Sequence, residues 1–470
     1  MIPLSEDNIH ISCTECGGAI KFPDGDHSVR CPFCSRVLLI TAPNRVLKFY
    51  LNTNLESNGI KFITEGHCKR SGIPLPTSVE DPLLFYLPFW RFRGMRYRLS
   101  AQAQTYEFED GTKLETTPKI SINSTPFDLN FPGIDLPSMS DVFLGVRAQT
   151  VGLCPEVPER IRGLAEVINP EIMLDQAREM AYQKAGMLNE CGRLLIDEII
   201  GEKLTLIYFP IWVSRFTSRS GKYYLLLDGV SGKEFCRKDG EFNGVKHHDG
   251  FESVTSIRIV SHHCPECGAD LPAGGDTVVF PCNNCGRAWY LEGNELIRNE
   301  VFVAESIPDA YRYYPFWGFE AIFNDHEGIL TYQQAKELFA NKLSLLIDEA
   351  ADSSFRFYIP AFGMRNPENV WKLSVNLTRS QPDLKLYQDS INNLAACSLP
   401  QEEAGELARV LWFFLIFSSP KGRLWRSHDL EDVPGIHLRP GKLIYIPMRE
   451  EGLFLREMIT GTAIATKGVI

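Results

Sequence analysis

Apolar stretches interrupted by proline and closed by glycine turns dominate the hydropathy pattern. Strand signals are strongest in Leu204 to Phe216 and Tyr223 to Leu227, with Asp228-Gly229 ahead of Val230. Their content of β-branched and aromatic residues predicts two strands, with a turn at the Asp-Gly pair. Pro88, Pro210, Pro315 and Pro447 each lie in a strand-like stretch. A proline has no N–H to give a central ladder, so each is expected at a strand start or a bulge. Helical spacing occurs in three places. Asn169-Pro170 predicts a helix start leading through Met173, Ala177, Met180 and Ala181. Thr331 with Gln334, and Ser398 with Gln401, have the spacing of capping boxes. The first precedes Ala335, Leu338, Phe339 and Leu343, the second Leu407, Val410 and Leu411. The apolar run from Val410 to Phe417 is a buried strand or the end of a core helix. It is far shorter than the roughly 20 residues that span a bilayer.

Several of these patterns occur twice, in the same order. Leu87-Pro88-Phe89-Trp90 is echoed by Tyr314-Pro315-Phe316-Trp317, and Leu144-Gly145-Val146-Arg147 by Phe362-Gly363-Met364-Arg365. Leu206-Ile207-Tyr208-Phe209-Pro210 is echoed by Leu443-Ile444-Tyr445-Ile446-Pro447, and Val230-Ser231-Gly232 by Ile459-Thr460-Gly461. Together they predict a tandem duplication. Trp90, Trp212 and Trp317 follow the prolines closely and read as core residues under a sheet rather than a ligand cage.

The strongest repeat is in the cysteines. Cys13-Thr14-Glu15-Cys16 is followed after fourteen residues by Cys31-Pro32-Phe33-Cys34. Cys264-Pro265-Glu266-Cys267 is followed, again after fourteen, by Cys282-Asn283-Asn284-Cys285. Two residues between cysteines let both thiolates of a knuckle reach one ion, and a hairpin brings the second knuckle opposite the first. Gly17, Gly268 and Gly286 follow three knuckles, where the turn favours a residue without Cβ. The reading is two four-cysteine zinc ribbons, each holding one structural Zn2+. The ligand set also admits iron, and paired redox dithiols or coincidental core cysteines are the alternatives without metal. Four thiolates leave no open coordination position, so the metals are expected to fold the chain rather than catalyse.

The chain has 470 residues, a net charge of −11 and 13 cysteines. Its length predicts several domains. The acidic balance disfavours phosphate-backbone binding as the main task. The first residues lack the basic and apolar regions of a secretory signal. A cytoplasmic protein with reduced cysteines is therefore expected. Cys154, Cys191, Cys236 and Cys397 read as small buried apolar residues.

In its order of motifs the chain resembles a loosely defined group of bacterial zinc-ribbon proteins, mostly uncharacterised and sometimes labelled helicase-like. The resemblance is carried by Cys13 to Cys34, Leu87 to Trp90, Phe209 to Trp212 and Asp228 to Gly232, with their second-half echoes. It implies a fold and a metal, but no agreed activity. In the second half no Asp-Gly precedes Ile459 and no Trp follows Pro447, so the halves are expected to differ there.

No phosphate loop, dinucleotide fingerprint, nucleophile elbow or His-Glu-x-x-His motif is present. His262-His263 read as neighbours of a complete site, His247-His248 lie in a polar loop, and His67-Cys68 has no visible orienting acid. Arg91, Arg93, Arg96 and Arg98 form the one basic-aromatic stretch, a candidate contact for phosphates or an acidic partner whose bland reading is a solvated strand face.

The expected fold class is α+β: a tandem duplication of a four-cysteine ribbon followed by a β-rich domain with inserted helices. The expected boundaries are ribbon 1 at 1–42, β-domain 1 at 43–258, ribbon 2 at 259–293 and β-domain 2 at 294–470. The expected function is a non-catalytic cytoplasmic adaptor or scaffold contacting other proteins, not an enzyme. The alternative is a nucleic-acid-associated factor using Arg91 to Arg98.

Overall fold

The structure, a computed structural model, describes residues 8–23, 28–41, 46–102, 105–107, 113–115, 119–134, 153–154, 163–186, 193–240, 258–272, 277–292, 295–304, 312–323, 328–339, 353–364, 366–386, 393–418 and 435–469. It is α+β and divides into two compact units.

The first unit comprises Met1–Arg93, Phe127–Leu188 and Lys203–Ser261. Its strands are β1 (Asn8–Ser12), β2 (Ala19–Pro23), β3 (Ser28–Arg30), β4 (Val37–Thr41), β5 (Leu47–Leu51), β6 (Leu83–Gln102), β7 (Lys119–Pro132), β8 (Leu153–Cys154), β9 (Ala165–Val167), β10 (Arg193–Ser218), β11 (Gly221–Asp228), β12 (Glu234–Asp239) and β13 (Arg258–Ser261). Its helices are α1 (Ser57–Arg70) and α2 (Leu174–Gly186). The main sheet has the order β7-β6-β10-β5-β8-β1-β2, with β11 on β10 and β12 on β11. The far portions of β6, β7 and β10 are counted with the second unit.

The second unit comprises Gly94–Pro126, Asn189–Glu202 and His262–Ile470. It adds β14 (Val279–Pro281), β15 (Ala288–Glu292), β16 (Glu295–Asn299), β17 (Val301–Val303), β18 (Arg312–Phe323), β19 (Arg356–Pro360), β20 (Lys385–Leu386), β21 (Ile436–Leu438), β22 (Lys442–Glu451), β23 (Phe454–Glu457) and β24 (Ala463–Ala465). Helices α3 (Tyr332–Phe339), α4 (Pro367–Ser380) and α5 (Gln401–Ser418) complete it. The sheet order β19-β18-β22-β17-β20, with β23 on β22 and β24 on β23, repeats that of the first unit from β7 to β8.

The two units also repeat single hydrogen bonds. The indole of Trp90 donates to the Ile172 carbonyl and that of Trp317 to the Leu399 carbonyl, each across 82 residues. The Ile168 amide donates to Tyr86 and the Ala395 amide to Tyr313. In the first unit the Asp228 carboxylate accepts from the Val230 and Ser231 amides and the Ser231 hydroxyl. In the second, Glu457 accepts from the Ile459 and Thr460 amides and the Thr460 hydroxyl. Glu457 thus does in the second unit what Asp228 does in the first, one methylene longer. The departure expected from the missing Asp-Gly is one of residue type, and the turn itself persists.

The prolines lie inside strands, not at their starts, and the ladder shows why. Pro88 and Pro315 accept from the Gly133 and Ala361 amides, but cannot return a bond. The carbonyl left over on Gly133 accepts from Glu171 and Ile172, and that on Ala361 from Ser398. The missing donor of each proline therefore anchors the segment entering α2 or α5. Pro210 accepts from Gly229, whose carbonyl then takes the Asn54 amide and the Thr53 hydroxyl.

This anchoring also corrects the first predicted helix. Pro170 does not begin it, because Glu171 and Ile172 are held by Gly133, and α2 starts at Leu174. The Thr331/Gln334 capping box forms, with reciprocal bonds of 2.9 and 3.3 Å. Ser398 gives its amide to Ala361, and α5 begins at Gln401 and carries Val410 to Phe417 as a buried core helix. Helix α4 was not expected, although Asn366 caps it by accepting from Glu368 and Pro367 opens it. Leu144 to Arg147, Leu343 and His247-His248 lie outside the described residues.

The units also divide the chain differently from the boundaries drawn on the sequence. Residues 94–126 and 189–202 fall in the second unit, so that β6, β7 and β10 each contribute to both units. Residues 259–261, expected in ribbon 2, pair through β13 with β4 of the first unit. Val37, Leu38, Leu39 and Ile40 of β4 are buried, and β3 covers only one of its edges.

Candidate metal centres

Four short hairpin corners carry the eight cysteines. At each, the amide of the first cysteine donates to a carbonyl five residues on, as Cys13 to Gly18, Cys31 to Arg36, Cys264 to Ala269 and Cys282 to Arg287. The amide four residues on donates back to that cysteine's carbonyl, from Gly17, Ser35, Gly268 and Gly286. Closing so tight a corner puts the residue after the second cysteine in the left-handed region. Gly17, Gly268 and Gly286 have φ near +70°, at +72°, +72° and +70°. At the fourth corner Ser35 occupies the same conformation at φ +61°, where a Cβ is disfavoured. Its carbonyl is held by the Arg30 guanidinium at 2.8 Å.

The corners bring the sulfurs together as two tetrads. Cys13, Cys16, Cys31 and Cys34 form one and Cys264, Cys267, Cys282 and Cys285 the other, with the ligand atoms of each within 4.8 Å of one another. The cross-corner Sγ···Sγ distances are 3.8 Å for Cys13–Cys34 and 3.7 Å for Cys16–Cys31. They are 3.6 Å for Cys264–Cys285 and 3.5 Å for Cys267–Cys282. Disulfide sulfurs would stand about 2.05 Å apart. Four thiolates about 2.3 Å from one tetrahedral ion would stand about 3.8 Å apart. The tetrads fit one metal ion each, and all eight cysteines are free thiols.

Burial is graded alike in both. Cys13, Cys31, Cys264 and Cys282, the first of each pair, are buried, whereas Cys16 and Cys267 face solvent. Crowding spreads the thiol acidities. At Cys267 the Asn284 side chain and the Ala269 amide favour the thiolate, bringing the pKa to about 6. Burial and the neighbouring thiols push Cys282 up to about 12. At Cys31 burial opposes ionisation, but the Cys34 and Phe33 amides outweigh it and the pKa falls to about 7. Cys34 is favoured by the Arg36 amide, yet burial and three thiols drive it to about 12. A cation held among the four sulfurs would favour their thiolate forms.

Neither tetrad stands on an isolated ribbon. Cys13, Ile20, Cys31, Leu38 and Ile40 share one core with Phe49, Phe85, Leu87, Ile207 and Phe209 of the first sheet. Val279 and Ala288, beside the second tetrad, share a core with Val301, Val303, Trp317, Tyr445 and α5. The Val278 amide also donates to the Cys397 carbonyl at 2.7 Å.

The other candidates fall away from the surface. Arg91 is buried and grips Asp128 with two nitrogens. Arg96 is buried against Asp197, and Arg98 lies 3.6 Å from the same carboxylate. Arg93 is half-buried. Three of the four arginines are thus buried against two carboxylates from other strands, not laid out as a solvated face. His67 points its Nδ1 to Glu234 at 2.5 Å, an acid not visible beside it in the sequence, while Cys68 is buried. His262 is buried edge-on to Phe280, and burial lowers its pKa to about 4. His263 meets Asp270 at 2.9 Å, and neither histidine belongs to the tetrad. Trp90, Trp212 and Trp317 are buried with their indole N–H groups bonded, as core residues. Cys397 is buried and Cys154 half-buried, whereas Cys191 and the Cys236 side chain lie outside the described residues. No helix among the described residues is long and apolar enough to cross a membrane.

No family model, no curated protein and no solved structure matches this chain.

Proposed function

We propose that the chain is a tandem duplication of a zinc ribbon with its β-domain, binding two structural Zn2+ and serving as a non-catalytic cytoplasmic adaptor that holds other proteins. The observation that carries the reading is the pair of closed tetrads with sulfurs 3.5–3.8 Å apart across the corners. Cys13, Cys16, Cys31 and Cys34 would hold one ion and Cys264, Cys267, Cys282 and Cys285 the other. Four thiolates fill a tetrahedral shell and leave no position for substrate or activated water, so each ion supplies cross-linking alone. Free thiols at this density suit a reducing compartment. The repeated strand order and repeated bonds support the duplication, and with it the likeness to bacterial zinc-ribbon proteins.

An adaptor role is favoured over nucleic-acid binding by the net charge of −11 and by the buried, paired state of Arg91, Arg96 and Arg98. Two measurements test it. Tagged chain recovered at native abundance should bring the same defined proteins at low and moderate salt. Mixed DNA and RNA oligonucleotides should give no complex at low salt. Nucleic-acid binding that weakens steeply with added salt, with no protein recovered, would overturn the proposal.

A further inference from the structure

Equivalent positions of the two units act as controls for one another. Tyr208 and Tyr445 occupy matching places, each opposite a parallel short strand: Tyr208 faces Tyr50, and Tyr445 faces Val303. Two residues earlier on those strands stand Lys48, opposite Leu206, and Val301, opposite Leu443. In the second unit this face is apolar and closed. Val301, Val303 and Tyr445 belong to the main core, and the Tyr445 hydroxyl donates to the Ala395 carbonyl at 3.1 Å.

The first unit keeps the tyrosine and changes its surroundings. Tyr208 is fully buried, yet its hydroxyl has no hydrogen-bond partner among the described residues. Its ring stacks on Tyr50 with centroids 4.8 Å apart. The Lys48 ammonium lies 4.8 Å from the Tyr208 centroid and 5.6 Å from that of Tyr50. Lys48 is half-buried, and no carboxylate among the described residues pairs with it. Burial alone lowers its pKa, with no opposing charge to restore it. Tyr86, edge-on to Tyr50, spends its hydroxyl on the Leu51 carbonyl and leaves Tyr208 unserved. Lys48 itself is partly exposed, and just past the strand Asn52 is exposed and donates to half-buried Cys154.

A cation without a counter-charge beside a buried donor without an acceptor is a mismatch that one ligand cures. Both groups need an oxygen acceptor, and the cation also needs negative charge. Aromatic rings hold an ammonium in place by their electron-rich faces, but they accept no hydrogen bond from Tyr208. We propose that Lys48 and Tyr208 form a binding site for a small oxyanion, a carboxylate or phosphate group, whose oxygens accept from the Lys48 ammonium and the Tyr208 hydroxyl. Tyr50 and Tyr208 wall the site. The second unit has Val301 and Val303 at the corresponding places and satisfies Tyr445 internally. The site does not depend on what the cysteine tetrads hold.

Thermal unfolding of the full chain in sodium acetate and in sodium phosphate, each against sodium chloride of equal ionic strength, tests this directly. One of the two anions should raise Tm saturably, with half-saturation at about 1–10 mM. A response to acetate alone identifies a carboxylate ligand, and one to phosphate alone a phosphate group. The rise should vanish in Lys48→Met, weaken at least tenfold in affinity in Tyr208→Phe, and persist in Lys442→Met, where a lysine lies over Phe302 in the second unit. Carbon-13 methylation of the lysines gives a second readout on the unsubstituted chain: one resonance, absent from Lys48→Met, should move with the same anion. If Lys48→Met does not fold, Tyr208→Phe and the anion-dependent resonance decide. No saturable rise with either anion, or an undiminished rise in Tyr208→Phe or Lys48→Met, would overturn the proposal; a water molecule then fills the need of Tyr208.

Discussion

Ser35 is the residue at which the first tetrad departs from ideal chemistry. Three corners place glycine in the left-handed region and the fourth places serine there, at φ +61°. Ser35→Gly should relieve roughly 1 kcal/mol of backbone cost, partly offset by the greater freedom of glycine in the unfolded chain. The check is a higher denaturant midpoint for the metal-loaded protein at unchanged slope. Asp197 shows the opposite balance. It answers Arg96 and Arg98, both buried, so Asp197→Ala should cost about 3–5 kcal/mol by removing the carboxylate the two guanidiniums share. A loss below about 1 kcal/mol in urea unfolding would mean the pairing is solvent-screened. Glu320 has a pH signature. Burial alone would raise its pKa, but Arg356 at 2.8 Å and Ser354 at 3.0 Å hold it below the ordinary value. A depressed native pKa means stability that is present above the ordinary glutamate range and lost as pH falls through the lowered native value. Glu320→Gln should therefore destabilise the protein at neutral pH and flatten the acid limb of its stability profile, read by thermal unfolding at successive pH values.

At the scale of elements, the strands of Pro88 and Pro315 each work as a junction. The carbonyl that proline cannot pair receives the chain entering a helix, and an indole N–H fastens the next turn. Trp90→Phe and Trp317→Phe keep an aromatic ring but strip the donor from the Ile172 and Leu399 carbonyls. Each should cost about 1–3 kcal/mol, and similarly in the two units, by chemical denaturation. A large cost in one and none in the other would show that the junctions are not equivalent. The sequence made part of this legible. Local signals were sufficient for the Thr331/Gln334 box and for the strands around Pro210, because capping and β-propensity act within a few residues. The delayed start of α2 was hidden, since the competitor for Glu171 and Ile172 is Gly133, distant along the chain. The same holds for β13 pairing with β4, and for Glu457 standing in for Asp228 under a different residue name. Arg91 to Arg98 misled because a basic string is visible in sequence and its acidic partners, Asp128 and Asp197 on other strands, are not.

Over the whole molecule, the metal centres and the sheets form common cores. Cys13 and Cys31 lie in the core of the first sheet, and Val279 and Ala288 in that of the second. Metal loss should therefore loosen more than about 30 residues of ribbon. Cys16→Ser should raise amide exchange in β4 and β5 and leave β18 and β22 protected, and Cys267→Ser should do the reverse. The tetrads were the most legible feature because ligand spacing is local geometry, whereas their seating on the sheets depends on contacts across the chain. Metal content measured by mass spectrometry on untagged protein, purified without added metal, tests the central claim most directly. Two zinc ions per chain, falling to one in Cys16→Ser and in Cys267→Ser, is the expected result. Protein that folds with no bound metal, or that holds iron in place of zinc, would contradict it.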